Sequence, residues 1–584
     1  MMRTLVTLVA GIVLCVGVVL ASTPGKVKGR YEKPFAETGV VREIPSRPMP
    51  AIDRSMFSPN TATSTTLTGW YDYQSNGGSV QQIRVNPANG NIHVTWMTAF
   101  DSTAATLDAS RRVAYAFSTD GGASWNNFNN LYVPDRRGGF PTIDICQGSV
   151  AGPPVIADHS VITSAGNQAT IFIDSPEGGG AFAEIAPPPG FGSDEAIWPY
   201  VAGASDGSVV MAASRNTAST EAYHARTPDF ISWSPLTRVN EVTQTGGRYP
   251  VQANGTGRVG ILYNNSNGTA ALGNWWLEST NDGGTWSTPV NLFGQRPEGA
   301  DTMDSYVHCD FVYNGNTPLF VFSEFSNLTT SNREDIVFWS QATGFKVAVP
   351  WDSANHLWGP YNNPANPQRF HNLMANFPSI GLSGSTIVVA FQAFEPDTDR
   401  LGWNYSDLWY VTSANGGNTW SAPVRITNTR FVDERYPSVS KWNPPGQFNI
   451  VWTQKTGASG LFAFPGGQQP PAPDTVRTFL MYDKILIADV KGGGEVATNF
   501  RLEQNYPNPF NPATKINYTI AQGGRVTIKV YDVLGAEVAT VLNEDLTPGT
   551  YQAGFDGARF ASGVYYYRMT AGAFSETRKM MLVK

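Results

Sequence analysis

One eight-residue pattern, S-x-D-x-G-x-x-W, recurs along the chain and constrains its fold more than any other feature. It occurs at residues 118–125, 279–286 and 413–420, with Asn at the Asp position in the second and third copies. Residues 175–182 form a looser copy that ends in Phe. Self-similarity of this kind predicts a repeat architecture in which each copy belongs to one supersecondary unit.

The residue types of the pattern describe a tight turn. Hydroxyl, carboxyl and amide groups at the first and third positions hydrogen-bond the backbone of such a turn. Glycine takes a backbone conformation with positive φ, and the aromatic ring packs beneath the hairpin. We therefore predict a structural role for the residues at these positions, which are Ser118, Asp120, Gly122, Trp125, Ser279, Asn281, Gly283, Trp286, Ser413, Asn415, Gly417 and Trp420.

A second motif, an aromatic residue followed by Pro, alternates with the first. Its copies begin at Phe140, Trp198, Tyr249, Phe377 and Tyr436, and each precedes an apolar run. Because Pro is tolerated at the first residue of a strand, we expect each copy to open a strand.

The two motifs together divide most of the chain into strand-rich units. The units begin near residues 79, 139, 197, 248, 305, 376 and 435. A repeat of roughly 45–70 residues suits a four-stranded blade of a β-propeller. We expect seven blades, with six as the alternative if the first or last unit is shared. Residues 67–73 look like a strand that completes the last blade and closes the ring.

The turn pattern resembles the Asp-box of the sialidase-like (BNR repeat) β-propellers, over residues 67–490. The resemblance implies the propeller fold, and it raises exo-sialidase activity as a hypothesis. That activity needs three Arg residues that clamp a carboxylate, a Tyr activated by a Glu, and an Asp acid/base. The family's aromatic-Arg-Ile-Pro motif is absent from this sequence. Arg84 aligns instead with Lys441 of the last unit, and both look like strand residues that precede a turn.

Composition agrees with a chain of short strands and turns. Of 584 residues, 58 are Gly and 40 are Pro, and only 15% are charged. Such a mixture argues against a helical bundle, a coiled coil or a disordered charged chain. A net charge of −7 argues against nucleic acid as a partner. We expect a monomer without a cofactor or a metal site, in which Cys146 and Cys309 are buried free thiols.

The N-terminus predicts export. Arg3 precedes an apolar run over residues 5–20, which small residues follow, as in a secretory signal peptide. The run is shorter than the roughly 20 residues of a membrane-spanning helix, so we expect no transmembrane span in the mature chain. We assign residues 1–22 to the signal peptide and residues 23–66 to an extended lead-in.

The C-terminal residues predict a second domain. After a glycine-rich linker at residues 491–499, residues 500–584 alternate apolar and polar side chains between Gly and Pro turns. This pattern predicts a small, Ig-like antiparallel β-sandwich of about seven strands.

The same segment resembles the type A C-terminal sorting domain of the type IX secretion system. The resemblance includes Q-N-Y-P-N-P-F-N-P at residues 504–512, V-Y-D-x-x-G at 530–535 and S-G-V-Y-x-Y-R at 562–568. It implies that residues 500–584 bind the type IX secretion machinery, which carries the protein across the bacterial outer membrane. The family's domain is then commonly removed or used for attachment to the cell surface.

Candidate site residues follow from the expected geometry of the ring. Propellers bind ligands at the mouth of the central channel, where the innermost strands begin, so residues just before the aromatic-Pro motifs should line it. The ligand-binding candidates are Arg136, Arg137, Arg248, Asp304, Arg435 and Tyr436. Carboxylates that face each other across a cleft can act as acid and base, and the catalytic candidates are Asp194, Glu195, Asp433 and Glu434. The alternative is that these charges pair with one another.

These observations predict an all-β protein, a β-propeller followed by a sandwich, that is secreted or attached to the cell surface. We expect it to bind glycans or extracellular polymers. An exo-sialidase-like glycoside hydrolase and a structural or adhesive surface protein are the alternatives. Three Arg residues that converge with a Tyr–Glu pair in the channel would favour the hydrolase.

Overall fold

The computed structural model divides the chain into two units, Met1–Val490 and Lys491–Lys584. It describes residues 62–71, 74–75, 80–103, 107–147, 152–163, 166–190, 196–216, 221–239, 249–265, 273–298, 301–326, 334–350, 375–398, 404–429, 432–456, 477–487, 500–505, 507–520, 524–546, 549–572 and 574–584. The predicted signal peptide, the lead-in up to residue 61 and the predicted linker lie outside these residues.

The strands of the first unit form seven small sheets, which are the blades of a β-propeller. The first three blades are numbered in chain order. Strand β1 (Thr63–Gly69) joins the last blade. Blade 1 comprises β2 (Ile83–Val85), β3 (Ile92–Ala99) and β4 (Arg111–Ser118), and blade 2 comprises β5 (Gly138–Ile145), β6 (Pro154–Thr163), β7 (Gly166–Asp174) and β8 (Phe182–Ile185). Blade 3 comprises β9 (Ala196–Gly203), β10 (Val209–Arg215), β11 (Ala222–Thr227) and β12 (Thr237–Arg238). A short 3-10 helix, Leu107–Ser110, precedes β4.

Blades 4 to 7 repeat this meander, and blades 5 and 6 each add one short strand at the inner edge. Blade 4 contains β13 (Val251–Ala253), β14 (Val259–Asn265), β15 (Gly273–Ser279) and β16 (Val290–Phe293), and blade 5 contains β17 (Arg296–Glu298), β18 (Asp301–Asn314), β19 (Thr317–Ser326), β20 (Glu334–Ser340) and β21 (Gly344–Val349). Blade 6 contains β22 (Ala375–Ser383), β23 (Thr386–Thr398), β24 (Asn404–Ser413), β25 (Val424–Arg425) and β27 (Trp442–Asn443). Blade 7 contains β26 (Val432–Val439), β28 (Gln447–Thr456), β29 (Thr478–Leu486) and β1.

The ring closes with strands from both ends of the unit. The innermost strands of neighbouring blades contact each other all the way round, and β2 of blade 1 contacts β26 of blade 7. Strand β1 pairs with β29 as the outermost strand of blade 7, so the predicted closing strand is present and begins at Thr63. Seven blades are therefore confirmed, and the six-blade alternative is wrong.

Four of the five aromatic-Pro motifs lie inside the innermost strands and do not open them, which corrects our expectation, whereas Tyr249-Pro250 directly precedes β13 as expected. The aromatic residue has a positive φ of 52° in Phe140, 54° in Trp198, 52° in Phe377 and 58° in Tyr436. The register of the strand pair shifts at each of these motifs. The motif is therefore a β-bulge, a site where Pro is tolerated because the ladder is already interrupted.

Each S-x-D-x-G-x-x-W turn is held by hydrogen bonds from its own backbone. In the first copy, Gly122 N donates to Ser118 Oγ at 2.9 Å, and Ser124 N donates to Asp120 Oδ1 at 2.9 Å. The hydrogen bonds that Ser124 and Ser118 donate lower the pKa of the Asp120 carboxyl to about 2. The same backbone bonds recur in the second and third copies.

These turns also connect neighbouring blades. Trp125 of blade 1 packs edge-on against Tyr482 of blade 7, with ring centroids 5.1 Å apart. Trp286 of blade 4 packs against His224 of blade 3, and Trp420 of blade 6 packs against Phe338 of blade 5. Each turn therefore acts as a clasp on the preceding blade, a role that the local sequence pattern does not reveal.

The glycine of the first clasp tests this role. A Cβ added at Gly122 would lie 2.0 Å from the ring of Tyr482, whereas a Cβ at Gly90 would meet nothing within 4 Å. Both residues have a positive φ, 87° and 79°, so both alanine variants carry the backbone strain of about 1–2 kcal/mol. We expect Gly122→Ala to lower the free energy of unfolding by about 1–3 kcal/mol more than Gly90→Ala, because it overpacks the joint. Urea unfolding of the two variants measures the difference, and equal losses would contradict the clasp.

The axis of the propeller carries four buried charges. Arg84 Nε lies 2.8 Å from Asp144 Oδ1, joining blades 1 and 2. Lys441 Nζ pairs with Asp310, which links β18 of blade 5 to the residues that follow β26. All four side chains are buried. Burial lowers the pKa of Lys441 to about 8, although Asp310 favours the charged form.

Further hydrogen bonds connect these charges to the other blades. Arg84 Nη2 donates to Gln252 of blade 4 at 2.8 Å, and Gly203 N of blade 3 donates to Asp144 Oδ2 at 3.0 Å. Lys441 Nζ donates to Ile380 O of blade 6 at 3.0 Å. The axial network therefore contacts every blade, and it fills the middle of the ring with paired polar groups.

A double-mutant comparison tests how far stability depends on this network. We expect Lys441→Met to lower the free energy of unfolding by about 3–5 kcal/mol, because Asp310 is left as an unpaired buried charge. The double variant Asp310→Leu/Lys441→Met should lose less, since both charges are removed together. Chemical unfolding of the three proteins measures this order. A double variant that is less stable than Lys441→Met would contradict the prediction.

The second unit is a sandwich of two antiparallel sheets with its own hydrophobic core. It has the seven strands that the sequence predicts. One sheet contains β30 (Arg501–Leu502), β31 (Ala513–Ile520) and β34 (Gly549–Asp556), and the other contains β32 (Gly524–Tyr531), β33 (Glu537–Leu546), β35 (Gly563–Ala571) and β36 (Phe574–Leu582).

Two smaller predictions concern the thiols and the membrane. Cys146 and Cys309 are buried and free, as expected, and burial raises the pKa of the Cys146 thiol. In the described part of the chain, no helix is both long enough and apolar enough to cross a membrane.

Candidate functional site

The bulges place a collar of rings around the axis. We define the collar as one ring from each of six blades, namely Phe140, Trp198, Tyr249, His308, Phe377 and Tyr436. The ring centroids of His308 and Phe377 are 4.0 Å apart, and those of Phe377 and Tyr436 are 4.9 Å apart. Val80 of blade 1 packs against Phe377 and Tyr436.

The collar is half-exposed on one side only. Tyr249, His308, Phe377 and Tyr436 are buried, whereas the rings of blades 2 and 3 are only partly buried. The two partly buried rings, Phe140 and Trp198, lie edge to face with centroids 6.4 Å apart. They are the collar rings that keep an accessible surface.

Arg111 and His159 border this aromatic pair. The guanidinium of Arg111 lies over the Phe140 ring, 5.4 Å from its centroid, and its Nε donates to Gly138 O at 2.8 Å. Trp198 N donates to His159 Nδ1 at 3.0 Å, so that nitrogen carries no proton. Burial and the neighbouring Arg111 hold the pKa of His159 well below its usual value. His159 is therefore a neutral acceptor that orients the bulge of blade 3.

The two arginines predicted at the blade 2 entrance lie near this pair. Arg136 forms an ion pair with Glu184 at 2.6 Å and donates to Ser160. Arg137 Nη1 donates to Asn167 at 3.3 Å. Both residues precede β5 and are partly exposed, so they border the half-exposed side of the collar.

The charged residues predicted at the blade 7 entrance are buried. Strand β26 begins at Val432, so Asp433, Glu434 and Arg435 are strand residues and all three are buried. Arg435 Nη2 lies 2.9 Å from Asp433 Oδ2, and Asp433 Oδ1 accepts hydrogen bonds from the backbone and hydroxyl of Ser406. This is the mutual pairing of charges that the sequence left as the alternative.

Glu434 has a carboxyl neighbour that the sequence did not identify. Burial and the charge of Asp407 raise the pKa of Glu434 well above its usual value, and burial also raises the pKa of Asp407. Arg425 pairs with Asp407, and Gln454 Nε2 donates to Glu434 Oε1 at 2.9 Å. The raised pKa of Glu434 favours its protonated form beside Asp407, at the joint between blades 6 and 7. Asp407 lies on β24, far from any motif, so only the strand register brings it here.

The remaining candidates do not join one site. Asp304 accepts a hydrogen bond from Gln295 at 2.6 Å on blade 5, and Tyr436 is buried in the collar. Arg248, Asp194 and Glu195 lie outside the described residues. Within the part that the structure describes, no three His, Cys, Asp or Glu side chains form a group that could hold a metal ion.

Two hydrogen-bonded Tyr–Glu pairs occur among the described residues of the propeller, one on β11 and one between β18 and β15. Tyr223 OH donates to Glu221 at 2.7 Å at the start of β11, and Tyr313 OH donates to Glu278 at 2.8 Å between blades 5 and 4. Burial, reinforced by the neighbouring glutamate, raises the pKa of both phenols. Neither pair faces the collar, so the described residues do not form the arrangement that a sialidase-like nucleophile requires.

The paired acids predict a pH dependence. A carboxyl whose pKa is raised on folding retains its proton longer in the folded state than in the unfolded state. Its stabilising effect is complete below the unfolded pKa of about 4.5, and it is lost as pH rises toward the folded pKa. We therefore expect Glu434→Gln to gain stability relative to the unmodified protein as pH rises above about 4.5. Urea unfolding between pH 4 and pH 9 measures this, and a difference that stays constant across the range would contradict the raised pKa of Glu434.

Comparison with known families identifies the second unit. Residues 504–584 match the family described as "Secretion system C-terminal sorting domain". These residues form a type IX sorting domain. The protein is therefore exported by type IX secretion, to the cell surface or into the medium.

No curated protein sequence matches the chain. Among solved structures it is similar to an α-L-arabinanase from Penicillium chrysogenum, with 15% identity, a TM-score of 0.34, and coverage of 59% of this chain and 97% of that one. It is also similar to a sialidase from Trypanosoma rangeli, with 11% identity, a TM-score of 0.35, and coverage of 89% and 88%. A Dyadobacter fermentans protein of unknown function shows 12% identity, a TM-score of 0.33, and coverage of 73% and 99%. Similarities this low carry no argument about activity, and the propeller assignment rests on the strand pairing described above.

Proposed function

We propose that this exported β-propeller binds glycans or other extracellular polymers at the half-exposed side of the collar. The observation that carries the proposal is the contrast among the collar rings. Phe140 and Trp198 are partly exposed, whereas the rings of the other blades are buried. Aromatic rings that are not needed for the core provide rigid, amphipathic contact area for a ligand.

The surrounding polar groups support the same function. Arg136 and Arg137 are partly exposed just before the strand that carries Phe140, and guanidinium groups suit hydroxyl, carboxylate or sulfate oxygens. Convergent polar groups beside an apolar surface are the usual composition of a ligand site. Type IX secretion delivers the propeller to the compartment where extracellular polymers are found.

Binding is favoured over glycoside hydrolysis by the positions of the ionisable groups. Asp433 and Glu434, the two described catalytic candidates, are buried and paired. A general acid must lie within hydrogen-bond reach of the bond that it cleaves. The half-exposed side of the collar therefore supports recognition of a polymer better than it supports cleavage of one.

Removal of the Trp198 ring tests the site. Trp198 has a positive φ of 54°, so Trp198→Gly removes the ring without adding backbone strain. We expect this variant of the full chain to bind its polysaccharide at least tenfold more weakly, a change of about 1.4 kcal/mol. Affinity electrophoresis against neutral and acidic polysaccharides identifies the ligand, and titration calorimetry measures the loss.

Phe345→Ala is the matched control, because Phe345 is 37% exposed on the outer strand β21. Its affinity should equal that of the unmodified protein. Failure of the folded protein to bind any polysaccharide would contradict the proposal. Turnover of fluorogenic glycosides that Glu434→Gln abolishes would favour the hydrolase instead.

A further inference from the structure

One end of the sorting domain carries an apolar patch on the outer face of its larger sheet. Side chains alternate between the two faces of a strand, and Tyr567, Met580 and Leu582 point into the core. Their neighbours point outward and lie side by side in the strand register. Together with the adjoining turn they form the sorting patch, which comprises Tyr531, Val533, Leu534, Tyr566, Met581 and Val583.

The sorting patch is unusually exposed for apolar side chains. Leu534 is 90% exposed and Val533 is 66% exposed, and Val583, Met581 and Tyr566 are 47%, 38% and 37% exposed. Single exposed apolar residues are common, but contiguous groups mark interaction surfaces.

The turn that carries Val533 and Leu534 is fixed by hydrogen bonds. Asp532 Oδ1 accepts from Leu534 N and from Ala536 N, both at 2.9 Å. Gly535 N donates to Asp532 O at 3.1 Å, and Gly535 has a positive φ of 82°. The two aliphatic side chains are therefore held outward in one conformation, which lowers the entropic cost of binding a partner.

Two cations lie beside the strand residues of the patch, whereas the carboxylate of Asp532 in its turn is engaged by backbone N–H groups. Lys579 lies opposite Tyr566 in the register, and Arg568 lies opposite Thr577 on the same face. Lys529 is paired with Glu537 at 2.8 Å, whereas the described ion pairs include none to Arg568 or Lys579. A partner that fits this surface must combine apolar side chains with carboxylates at their rim.

Strand β36 lies at the edge of the larger sheet, and residues that precede β31 already bond to it. Phe510 N donates to Met581 O at 2.9 Å, and Val583 N donates to Phe510 O at 3.0 Å. Gln504 Nε2 donates to Lys579 O at 2.8 Å, and Met581 N donates to Asn508 Oδ1 at 2.9 Å. The Q-N-Y-P-N-P-F segment thus covers the edge of β36, which leaves the outer face of the sheet for recognition.

We propose that the sorting patch is the docking surface for a protein of the secretion machinery, one with an apolar groove flanked by carboxylates. A sorting domain interacts with the secretion machinery, and the two cations beside the patch complement an acidic rim. A membrane surface fits less well. Two unpaired cations give only about 1 kcal/mol each toward anionic lipid, whereas the ordered aliphatic turn suits a preformed groove.

The test follows export of the full chain in a bacterium that has a type IX secretion system. We expect Val533→Ser/Leu534→Ser to reduce the protein outside the outer membrane at least tenfold, with accumulation of the protein in the periplasm. Ile231→Ser is the matched control. Ile231 is 85% exposed on a propeller turn whose Asp229 accepts from Ile231 N and Ser232 N, and its variant should be exported normally.

Two substitutions of Lys579 test the same surface without changing Val533 or Leu534. Lys579→Glu should reduce export, whereas Lys579→Arg should retain it, and thermal unfolding should show that both variants are folded. Normal export of Val533→Ser/Leu534→Ser or of Lys579→Glu would overturn the proposal. Binding of the purified chain to phosphatidylglycerol vesicles, lost in Val533→Ser/Leu534→Ser, would also overturn it in favour of a membrane surface.

Discussion

The buried charges on the axis are the interaction on which the propeller most depends. Arg84 and Lys441 supply two positive charges, Asp144 and Asp310 supply two negative ones, and hydrogen bonds extend from them to all seven blades. Removing charges from water is costly unless each one finds a partner. Here the partners come from different blades: Arg84 and Asp144 join blades 1 to 4, and Lys441 and Asp310 join blades 5 to 7. The charges are therefore satisfied only when these blades are packed together, which ties the stability of each blade to that of others.

Glycine contacts on the outside of the ring also join neighbouring blades. The clasps place the glycine of one blade directly on a ring of the blade before it, as with Gly417 against Phe338 and Gly122 against Tyr482. Close contact at these positions excludes a side chain, and the positive φ independently favours glycine. Local turn geometry and inter-blade packing thus select the same residue. This double requirement for glycine explains why the complete motif occurs at these turns, whereas looser copies occur at other turns.

The sequence predicted local structure better than it predicted the site. Turn chemistry is local, so Ser118, Asp120 and Trp125 could be assigned to a turn from their types and spacing. The contact of Trp125 with Tyr482 joins residues that are far apart in the chain, so the spacing of residues within the motif cannot predict it. Asp433 and Glu434 were expected at the mouth because the strand was thought to begin at the aromatic-Pro motif. The strand begins earlier, at Val432, which turns both residues inward. Arg84 and Lys441 occupied matching positions in the first and last units, a signal of the axial network that the sequence contained.

The two units divide the functions of the chain between separate cores. The sorting domain has its own hydrophobic cluster, built from strands β30 to β36 and Phe510, and Gln504 and Asn508 of its opening segment bond to its own last strand. The propeller closes on itself through β1 and β29. Neither unit needs residues of the other to complete a sheet. Substitutions on the surface of the sorting domain can therefore be made without changing any strand of the propeller, so the export and ligand-binding proposals can be tested separately.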